Sequence, residues 1–323
     1  MPVLVTGGAG YIGSQTVLEL TDAGETVVVL DDLSTGFEAA VSPSAKLVIG
    51  DIGNPALLAN VITEHKIDAI VHFAGSVVVP ESVVNPLAYY HNNTCETRML
   101  IESAVKGRVP RFIFSSTAAV YGAGGLEPVK ENSPLRPQSP YGRSKLMSEW
   151  MLEDISKAHA LKYTVLRYFN VAGADPQGRT GQATKGATHL IKVASEAALG
   201  KRKFVEVFGT DYPTADGTCI RDYIHVKDVA VAHKLALTRL RGGGQNLTAN
   251  CGYSRGYSVL EVLHAVQRVN GMKLDIRFSN RRPGDPTAIV ADSNLARSEL
   301  GWTPQFDNLD AIISSALNWE RTP

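Results

Sequence analysis

A glycine-rich turn near the start of the chain constrains its fold more than any other feature of the sequence. The turn follows the short apolar run Val3–Thr6, places glycines at Gly7, Gly10 and Gly13, and opens a run of helical periodicity. Glycines at these positions allow a tight turn and let backbone N–H groups approach a pyrophosphate at a helix N-terminus. The strand, the turn and the helix together predict a dinucleotide-binding unit.

Two acidic residues at the end of the second apolar run indicate which dinucleotide is bound. Asp31 and Asp32 follow Gly13 by 18 and 19 residues. A carboxylate at Asp31 accepts hydrogen bonds from ribose hydroxyls and repels a 2′-phosphate, which favours NAD over NADP. Asp51 and Ile52, after the third apolar run, suggest an adenine contact, although by themselves they are equally typical of a turn. The alternative for the whole unit is that its glycines serve helix–sheet packing and that Asp31 is a solvated turn residue.

Short β-branched runs alternate with helical periodicity over the first half of the chain, which predicts a parallel sheet with helices on both faces. The predicted strands are Val3–Thr6, Thr26–Leu30, Lys46–Ile49, Ala69–Phe73, Phe112–Ser115 and Thr164–Leu166. The predicted helices are Ile12–Ala23, Ala56–Glu64, Leu87–Val105, Tyr141–Ala158, Thr188–Leu199 and Val259–Val269. We therefore expect a doubly wound parallel (Rossmann-type) α/β domain over residues 1–173. A smaller C-terminal substrate-binding lobe is expected over residues 174–323, with some segments returning to the first domain.

Composition and charge exclude several other classes of protein. Hydrophobic residues make up 44% of the 323 residues and charged residues 20%, so the chain has enough apolar material for a core. The 32 basic residues balance the 32 acidic ones, which argues against a nucleic-acid or membrane-surface binder. Cys95, Cys219 and Cys251 lack metal-ligand spacing, so we expect reduced thiols and neither a disulfide nor a zinc site. The start of the chain lacks the features of a signal peptide and no apolar run approaches bilayer length, so we expect a cytoplasmic location.

A tyrosine and a lysine four residues apart form a candidate catalytic pair. Tyr141 and Lys145 lie at the start of a predicted helix, so their side chains share one face. A phenol is a poor base near neutral pH, but a nearby ammonium and a positively charged nicotinamide ring both favour its phenolate. Thr117 ends the fifth strand, at the edge where open parallel sheets bind ligands, so its hydroxyl can bond the reacting oxygen. Taken alone, the pair is equally typical of a surface aromatic beside a solvated lysine, and Thr117 of a strand-end cap.

Seven segments spread over nearly the whole chain carry recognisable motifs. They are Thr6–Gly13, His72–Gly75, Ser115–Gly122, Ser139–Lys145, Leu166–Asn170, Gly217–Val226 and Arg281–Asp285. Together they resemble the extended short-chain dehydrogenase/reductase family and, within it, the UDP-glucose 4-epimerases, of which the sixth segment (GTCIRDYIHV) is typical. The resemblance implies a homodimer that inverts carbon 4 of a UDP-hexose, UDP-glucose or UDP-galactose, through a 4-keto intermediate, with transient hydride transfer to bound NAD.

The same resemblance implies roles for individual residues. It makes Tyr141 the proton acceptor, Lys145 its partner and a cofactor-ribose ligand, and Thr117 the hydroxyl that positions the sugar. The residues that would line the NAD site are Gly7, Gly10, Tyr11, Ile12, Gly13, Asp31, Asp32, Asp51, Ile52, Phe73, Ala74, Gly75, Asn92, Tyr141, Lys145 and Phe169. Those that would hold the UDP-sugar are Thr117, Asn170, His189, Leu190, Phe208, Arg221, Arg282, Asp285 and Ile289. Both arginines would bind the diphosphate, where a planar guanidinium matches anionic oxygens, and the alternative is that they form surface salt bridges.

Three positions depart from the family pattern. Val77 stands where many 4-epimerases carry lysine, His189 where many carry asparagine, and Ile289 where the better-known bacterial enzymes carry tyrosine. The first removes an expected cofactor contact. The other two fall in the sugar-nucleotide pocket, which leaves UDP-N-acetylglucosamine and UDP-xylose open as substrates. Ile289 has the alternative interpretation of a strand residue packed in the smaller lobe.

Two other enzyme classes and one non-catalytic class are alternatives to epimerisation. Related dehydratases carry an acidic pair directly after the Thr117 position, and the decarboxylases a glutamate at the second of those positions. Here the two positions are Ala118 and Ala119, which lack an acid or a base, so both rivals are disfavoured. A non-catalytic NAD-sensing regulator is the third alternative, and the complete set of Thr117, Tyr141 and Lys145 argues against it.

Overall fold

The computed structural model describes residues 1–122, 125, 127–184, 186–282 and 285–322. Its strands are β1 Val3–Thr6, β2 Val27–Asp31, β3 Lys46–Ile49, β4 Ala69–His72, β5 Arg111–Thr117, β6 Lys162–Tyr168, β7 Asn170–Ala172, β8 Val205–Phe208, β9 Ile220–His225, β10 Leu247–Cys251, β11 Gly256–Ser258, β12 Ile276–Ser279 and β13 Ala288–Ile289. Its α-helices are α1 Tyr11–Asp22, α2 Pro55–Glu64, α3 Val79–Val84, α4 Pro86–Tyr90, α5 Thr97–Lys106, α6 Pro140–Ala158, α7 Leu190–Ala198, α8 Val226–Arg241, α9 Val259–Asn270, α10 Asn294–Leu300 and α11 Leu309–Arg321. Short 3-10 turns span Glu38–Ala40 and Ala118–Val120, and a π-helical turn spans His91–Glu96.

The central sheet has seven strands, all parallel, in the order β10-β6-β5-β4-β1-β2-β3. Alternate residues of β1 enter different apolar clusters, because Val3 and Val5 pack on one face of the sheet and Leu4 packs on the other. A strand covered on both faces requires a continuous apolar run, which is what the β-branched segments provide. The predicted fold class, a doubly wound parallel sheet, is therefore confirmed.

The predicted strands of this sheet and the predicted helices that pack on it agree with the structure to within two residues at each end, except for one helix. The predicted helix Leu87–Val105 is divided into α4, the π-helical turn and α5. A π-helical turn accommodates an extra residue and is frequent at functional sites. Here it carries Asn92 and Asn93, which contact the residue after Gly75. Helical periodicity alone does not reveal such a local change of pitch.

The region after residue 173 contains the shorter sheets and also contributes to the large one. β9 pairs with β7, β11 and β13, and β8 pairs with β12. Helices α7, α9 and α11 pack against one another, whereas α8 packs against α1. β10 is the seventh strand of the central sheet. The division into two domains at residue 173 stays a prediction. No helix in the described part of the chain is long and apolar enough to cross a bilayer.

Candidate active site

The glycine-rich turn is packed so closely that side chains would not fit in it. Gly7 has φ +70°, and a Cβ added there would lie 2.5 Å from the backbone nitrogen of Ala74. A Cβ at Gly13 would lie 2.1 Å from the carbonyl oxygen of Gly7. The amide of Gly10 donates to that same carbonyl at 3.2 Å. The turn therefore lies directly against the segment after β4 and leaves backbone free at the N-terminus of α1, as a pyrophosphate site requires.

The acidic residues predicted for the cofactor lie at the carboxyl ends of β2 and β3. Asp31 is buried, and its two oxygens accept from the backbone amides of Ala9 and Leu33, both at 2.9 Å. Burial raises the pKa of Asp31, and these two hydrogen bonds oppose that rise. Asp32 accepts from the amide of Ser34. Each Asp31 oxygen keeps a second lone pair, so the carboxylate can still accept a ribose hydroxyl.

The third strand ends at the other predicted adenine contacts. Asp51 accepts from the amide of Gly53 at 2.7 Å, and Ile52 is buried in the apolar cluster on the α2 side of the sheet. Tyr11 begins α1 beside Ile12, and its hydroxyl donates to the Gly173 carbonyl at 2.6 Å. This bond joins the glycine-rich turn to the segment that follows β7.

A cleft opens beside the turn and is lined by Ala9, Gly10, Tyr11, Ser14, Phe37 and Arg179 among others. The crowding at Gly7 and Gly13 and the carboxylate at the end of β2 fit a dinucleotide. The Phe73 ring packs on the His233 ring at 4.6 Å between centroids, which orients it beside Ala74 and Gly75. Val77 is 49% exposed, and its uncharged side chain cannot make the contact that lysine would make.

An asparagine that the sequence analysis did not identify organises the next turn. Asn93 is 2% exposed, accepts from the Ser76 amide at 2.8 Å and donates to the Ser76 carbonyl at 2.9 Å and to the Ser144 hydroxyl at 3.1 Å. Its neighbour Asn92, which was predicted, donates to the Ser76 hydroxyl at 2.8 Å. These bonds tie Ser76, the residue after Gly75, and the π-helical turn to α6. Two adjacent asparagines inside a helical run are the signal that could have identified this turn, because asparagine is unfavourable in a helix interior.

The candidate catalytic residues meet where α6 begins and β5 ends. Ser139 caps α6 by accepting from the Gly142 amide at 3.2 Å, which places Tyr141 and Lys145 in its first turns. The Lys145 Nζ donates to the Ser115 carbonyl at 3.2 Å. Thr117, the last residue of β5, has its hydroxyl within hydrogen-bonding reach of the Tyr141 phenol. The structure therefore brings all three predicted catalytic residues together.

The electrostatics of the pair differ in one respect from the prediction. Burial raises the pKa of Tyr141, and the hydrogen bond from Thr117 lowers it. Burial lowers the pKa of Lys145 to about 8, while the charge of Glu149 raises it. The ammonium is directed to the Ser115 carbonyl, so the protein alone favours the neutral phenol. Of the two positive charges invoked from the sequence, the nicotinamide ring is the one needed to favour phenolate.

Three of the predicted sugar-nucleotide residues line one small cavity, namely Asn170, His189 and Leu190. His189 precedes the first residue of α7, and its Nδ1 lies 2.7 Å from Nε2 of Gln182. Burial lowers the pKa of His189, so its imidazole is neutral near neutral pH. A neutral imidazole offers one donor and one acceptor, which is the same hydrogen-bonding capacity in kind as the asparagine of many relatives.

The predicted diphosphate residues form a second group around β9. Arg221 lies 3.6 Å from Asp285 and donates to the Pro286 carbonyl at 2.9 Å. The exposed Arg282 places its guanidinium 3.7 Å from the centroid of the Phe208 ring. Pro283 and Gly284 of the predicted motif lie outside the described residues. Two arginines and an aromatic face on neighbouring segments can bind an anionic nucleotide.

Ile289 lies closer to the catalytic residues than its place in the chain suggests. β13 pairs with β9 so that Ile289 is opposite Arg221. Its side chain is 6% exposed and belongs to an apolar cluster with Ala118, Leu146 and Phe169. Ala118 follows Thr117 and Leu146 follows Lys145, so Ile289 shares an apolar cluster with the neighbours of two candidate catalytic residues. Phe169, predicted as a cofactor contact, is buried in the same cluster.

Comparisons with known proteins agree with this geometry. The model of the NAD dependent epimerase/dehydratase family matches residues 3–252. The chain is 56% identical over 320 residues to a UDP-glucose 4-epimerase of Azospirillum brasilense, covering 99% of this chain and 92% of that relative. Its fold is similar to the crystal structure of the UDP-glucose 4-epimerase from Bifidobacterium longum in complex with NAD+ and UDP, with TM-score 0.94, 38% identity and coverage of 99% and 98%. It is also similar to the UDP-Glc/GlcNAc 4-epimerase from Campylobacter jejuni, with TM-score 0.87, 44% identity and coverage of 100% and 99%.

Proposed function

We propose, since this chain belongs to the NAD dependent epimerase/dehydratase family, that it inverts carbon 4 of a UDP-hexose through a 4-keto intermediate. The observation that carries the proposal is the meeting of Tyr141, Lys145 and Thr117 at the carboxyl end of β5. Open parallel sheets bind their ligands at this edge. UDP-glucose and UDP-galactose are the proposed substrate pair.

NAD is the cofactor of the reaction, and when bound it would supply a reversible hydride acceptor for carbon 4 of the sugar. The glycine-rich turn would hold its pyrophosphate, and Asp31 its adenosine ribose. Tyr141 takes the proton of the 4-hydroxyl and later returns it. Thr117 orients the sugar oxygen towards the phenol, and Lys145 would hold the cofactor ribose beside it.

Dehydration and decarboxylation of the same sugar nucleotides would need a further acid or base beside the sugar. The positions after Thr117 are Ala118 and Ala119, which form a 3-10 turn and carry no titratable group. Ala118 is buried against Ile289 and Leu146. This apolar wall supports epimerisation, in which the sugar is only oxidised and reduced again.

Deuterium at carbon 4 of UDP-glucose is expected to be retained in UDP-galactose when the reaction runs in ordinary water. A hydride that is stored on NAD never exchanges with solvent, whereas a proton removed from carbon would be washed out. Chromatography of the products followed by mass spectrometry measures the label. Absence of UDP-galactose would disprove the epimerase proposal, and loss of the label would disprove the hydride route.

The substitution Ile289→Tyr is expected to lower the activity on UDP-N-acetylglucosamine relative to that on UDP-glucose. In native protein we expect detectable but inferior turnover of the acetylated sugar, because isoleucine leaves more room than tyrosine, although branching at Cβ stiffens it. The larger ring also overpacks the cluster with Ala118, Leu146 and Phe169, at a cost of about 1–3 kcal/mol. The ratio of kcat/KM for the two sugars is the measurement, and UDP-glucose serves as the internal control. An unchanged ratio in a folded variant would show that Ile289 only packs the strand.

We propose that two copies of the chain pair through an exposed apolar face on α3, α4 and α6. Val84 is 86% exposed, Leu87 78% and Trp150 53%, and the three helices contact one another. Large exposed apolar side chains on neighbouring helices are typical of a protein interface. Leu87→Glu combined with Trp150→Glu is expected to halve the mass measured by light scattering. Met272→Glu, at an exposed residue just beyond α9, is the control that should remain dimeric. A monomeric native protein would disprove the proposal.

We place the protein in the cytoplasm. Cys95 is exposed and free, and Cys219 and Cys251 are buried and unpaired. Free thiols persist in a reducing compartment, where disulfides are rare.

Within the chain, residues 1–173 are proposed to form the NAD-binding domain and residues 174–323 mainly the UDP-sugar-binding lobe, with β10 as a segment that joins the first domain.

A further inference from the structure

Glu149 lies one helical turn after Lys145 and two after Tyr141 on α6, so the three side chains share one face of the helix. Its side chain is buried and both of its oxygens are hydrogen-bonded. Arg167 on β6 donates from Nε to Oε1 at 3.0 Å and from Nη2 to Oε2 at 2.6 Å. The Ser116 hydroxyl donates to Oε1. A bidentate guanidinium stabilises the ionised carboxylate, so a negative charge lies just behind the candidate catalytic pair.

Arg167 continues the network away from the helix. It is also buried, and its Nη1 donates to the Tyr121 hydroxyl at 3.0 Å and to the Glu131 carbonyl at 3.2 Å. The Tyr121 hydroxyl donates to Oδ1 of Asn250 on β10 at 2.6 Å. The pair therefore joins α6 and β5 to β6, β10 and the segment before α6, which limits how far any of them can move.

Stability alone is a weak reason for such a pair. Two buried charges lose their hydration, and an apolar pair of similar size is often as stable or more stable. Removal of one partner, in contrast, leaves an uncompensated charge. The position of the pair beside the catalytic residues points to a role in the reaction.

Ser116 is the contact through which Glu149 reaches the catalytic residues. It lies between Ser115, whose carbonyl accepts from Lys145, and Thr117, whose hydroxyl lies near the Tyr141 phenol. The hydrogen bond from Ser116 to Glu149 therefore restrains the strand residues on both sides of Ser116. We propose that Glu149, held by Arg167, is a positioning residue that fixes the end of β5 against α6 and keeps the Lys145 ammonium charged.

The titratable groups that face Lys145 come from three elements. Tyr141 and Glu149 lie on its own helix, His72 lies on β4, and Tyr168 on β6 bonds the Ser115 hydroxyl. Burial lowers the pKa of His72 well below its usual range and raises that of Tyr168, so both are neutral near neutral pH. Glu149 supplies the negative charge that opposes the burial of the ammonium.

This inference rests on the proposed epimerisation, and Glu149→Gln tests it because the amide keeps the shape and loses the charge. We expect kcat to fall about 10- to 100-fold through misplacement of the reacting groups, with KM little changed. We also expect the alkaline limb of the kcat profile to move down by about one pH unit, because Lys145 loses its proton more easily without the nearby anion. Glu149→Asp, which keeps the charge at a shorter reach, should retain the native alkaline limb while kcat is reduced.

Glu19→Gln is the matched control, since Glu19 is also a buried helical glutamate and pairs with Lys227 and Lys234 away from the catalytic pair. Glu19→Gln should lower the thermal unfolding temperature without moving the alkaline limb of the kcat profile. A folded Glu149→Gln protein with the native kcat and pH profile would overturn the proposal, as would a loss of stability that leaves the limb in place. If that variant does not fold, Ser116→Ala replaces it, and a native kcat in Ser116→Ala overturns the proposal.

The pH dependence of NAD binding gives a second readout that does not require turnover. Lys145 would also hold the cofactor ribose, so NAD binding should weaken when Lys145 loses its charge. In Glu149→Gln this weakening should occur at a pH about one unit lower than in native protein. An inactive native protein would disprove the proposed function, and this comparison would still decide the role of Glu149. Identical binding profiles of the two proteins would overturn it.

Discussion

Replacing Tyr141 with phenylalanine is expected to lower kcat by about two to four orders of magnitude, the usual contribution of a general base. The substitution removes one hydroxyl, which lies near Thr117 at the carboxyl end of β5, and leaves the ring and its packing in place. No other described side chain combines that place with a phenol four residues before a buried lysine. The fold and the bound NAD are therefore expected to survive while turnover is lost.

Three measurements check this expectation, namely kcat for UDP-glucose, the thermal unfolding temperature and the NAD released by acid. Tyr163→Phe is the matched control, because Tyr163 is a half-buried tyrosine on β6 that packs against the apolar cluster on the α2 side of the sheet. Its kcat should stay near the native value. Near-normal epimerisation by Tyr141→Phe would remove Tyr141 from its assigned role.

Gly7→Ala is expected to yield protein without NAD, whereas native protein should be purified with NAD bound, because the reaction regenerates the cofactor and never requires its release. Gly7 has φ +70°, and an added Cβ would lie 2.5 Å from the Ala74 nitrogen and 2.8 Å from its Cα. Backbone atoms cannot rotate away, so the turn must shift. Strain of about 3 kcal/mol at the turn would weaken NAD binding about 100-fold.

Gly24→Ala separates this clash from backbone strain alone. Gly24 has φ +83°, but an added Cβ there meets nothing within 4 Å. In both variants an alanine has to adopt the left-handed backbone conformation, which costs about 1–2 kcal/mol. Only Gly7→Ala also displaces the turn. The measurement is NAD per protein chain after acid denaturation. Equal NAD content in the two variants would contradict a pyrophosphate site at the turn, and native protein free of NAD would contradict a retained cofactor.

Local patterns in the sequence were sufficient for the fold class and for the candidate catalytic pair. The β-branched runs of β1 and β2 have to be buried on both faces, and a parallel sheet with two helical layers is the arrangement that does so. Tyr141 and Lys145 share a helix face because helical geometry places residues four apart side by side. The glycine-rich turn is local at Gly13, where a Cβ would meet the Gly7 carbonyl, whereas the need for glycine at Gly7 also comes from the close approach of Ala74 after β4. The motif resemblance extended these patterns to the family, which the comparisons confirmed.

Only the tertiary structure decided which distant residues surround Tyr141 and Lys145 and how they change the pKa values of these two side chains. Asn93 contacts Ser76 and Ser144 because a π-helical turn shifts it out of the regular helical repeat. Glu149 and Arg167 belong to separate elements, and Ile289 reaches the back of the site through its pairing with β9. Burial, which depends on all neighbours at once, raises the pKa of Tyr141 and lowers that of Lys145 to about 8. Backbone geometry acts over a few residues and can be inferred from the order of amino acids, whereas burial and long-range contacts exist only once the chain has folded.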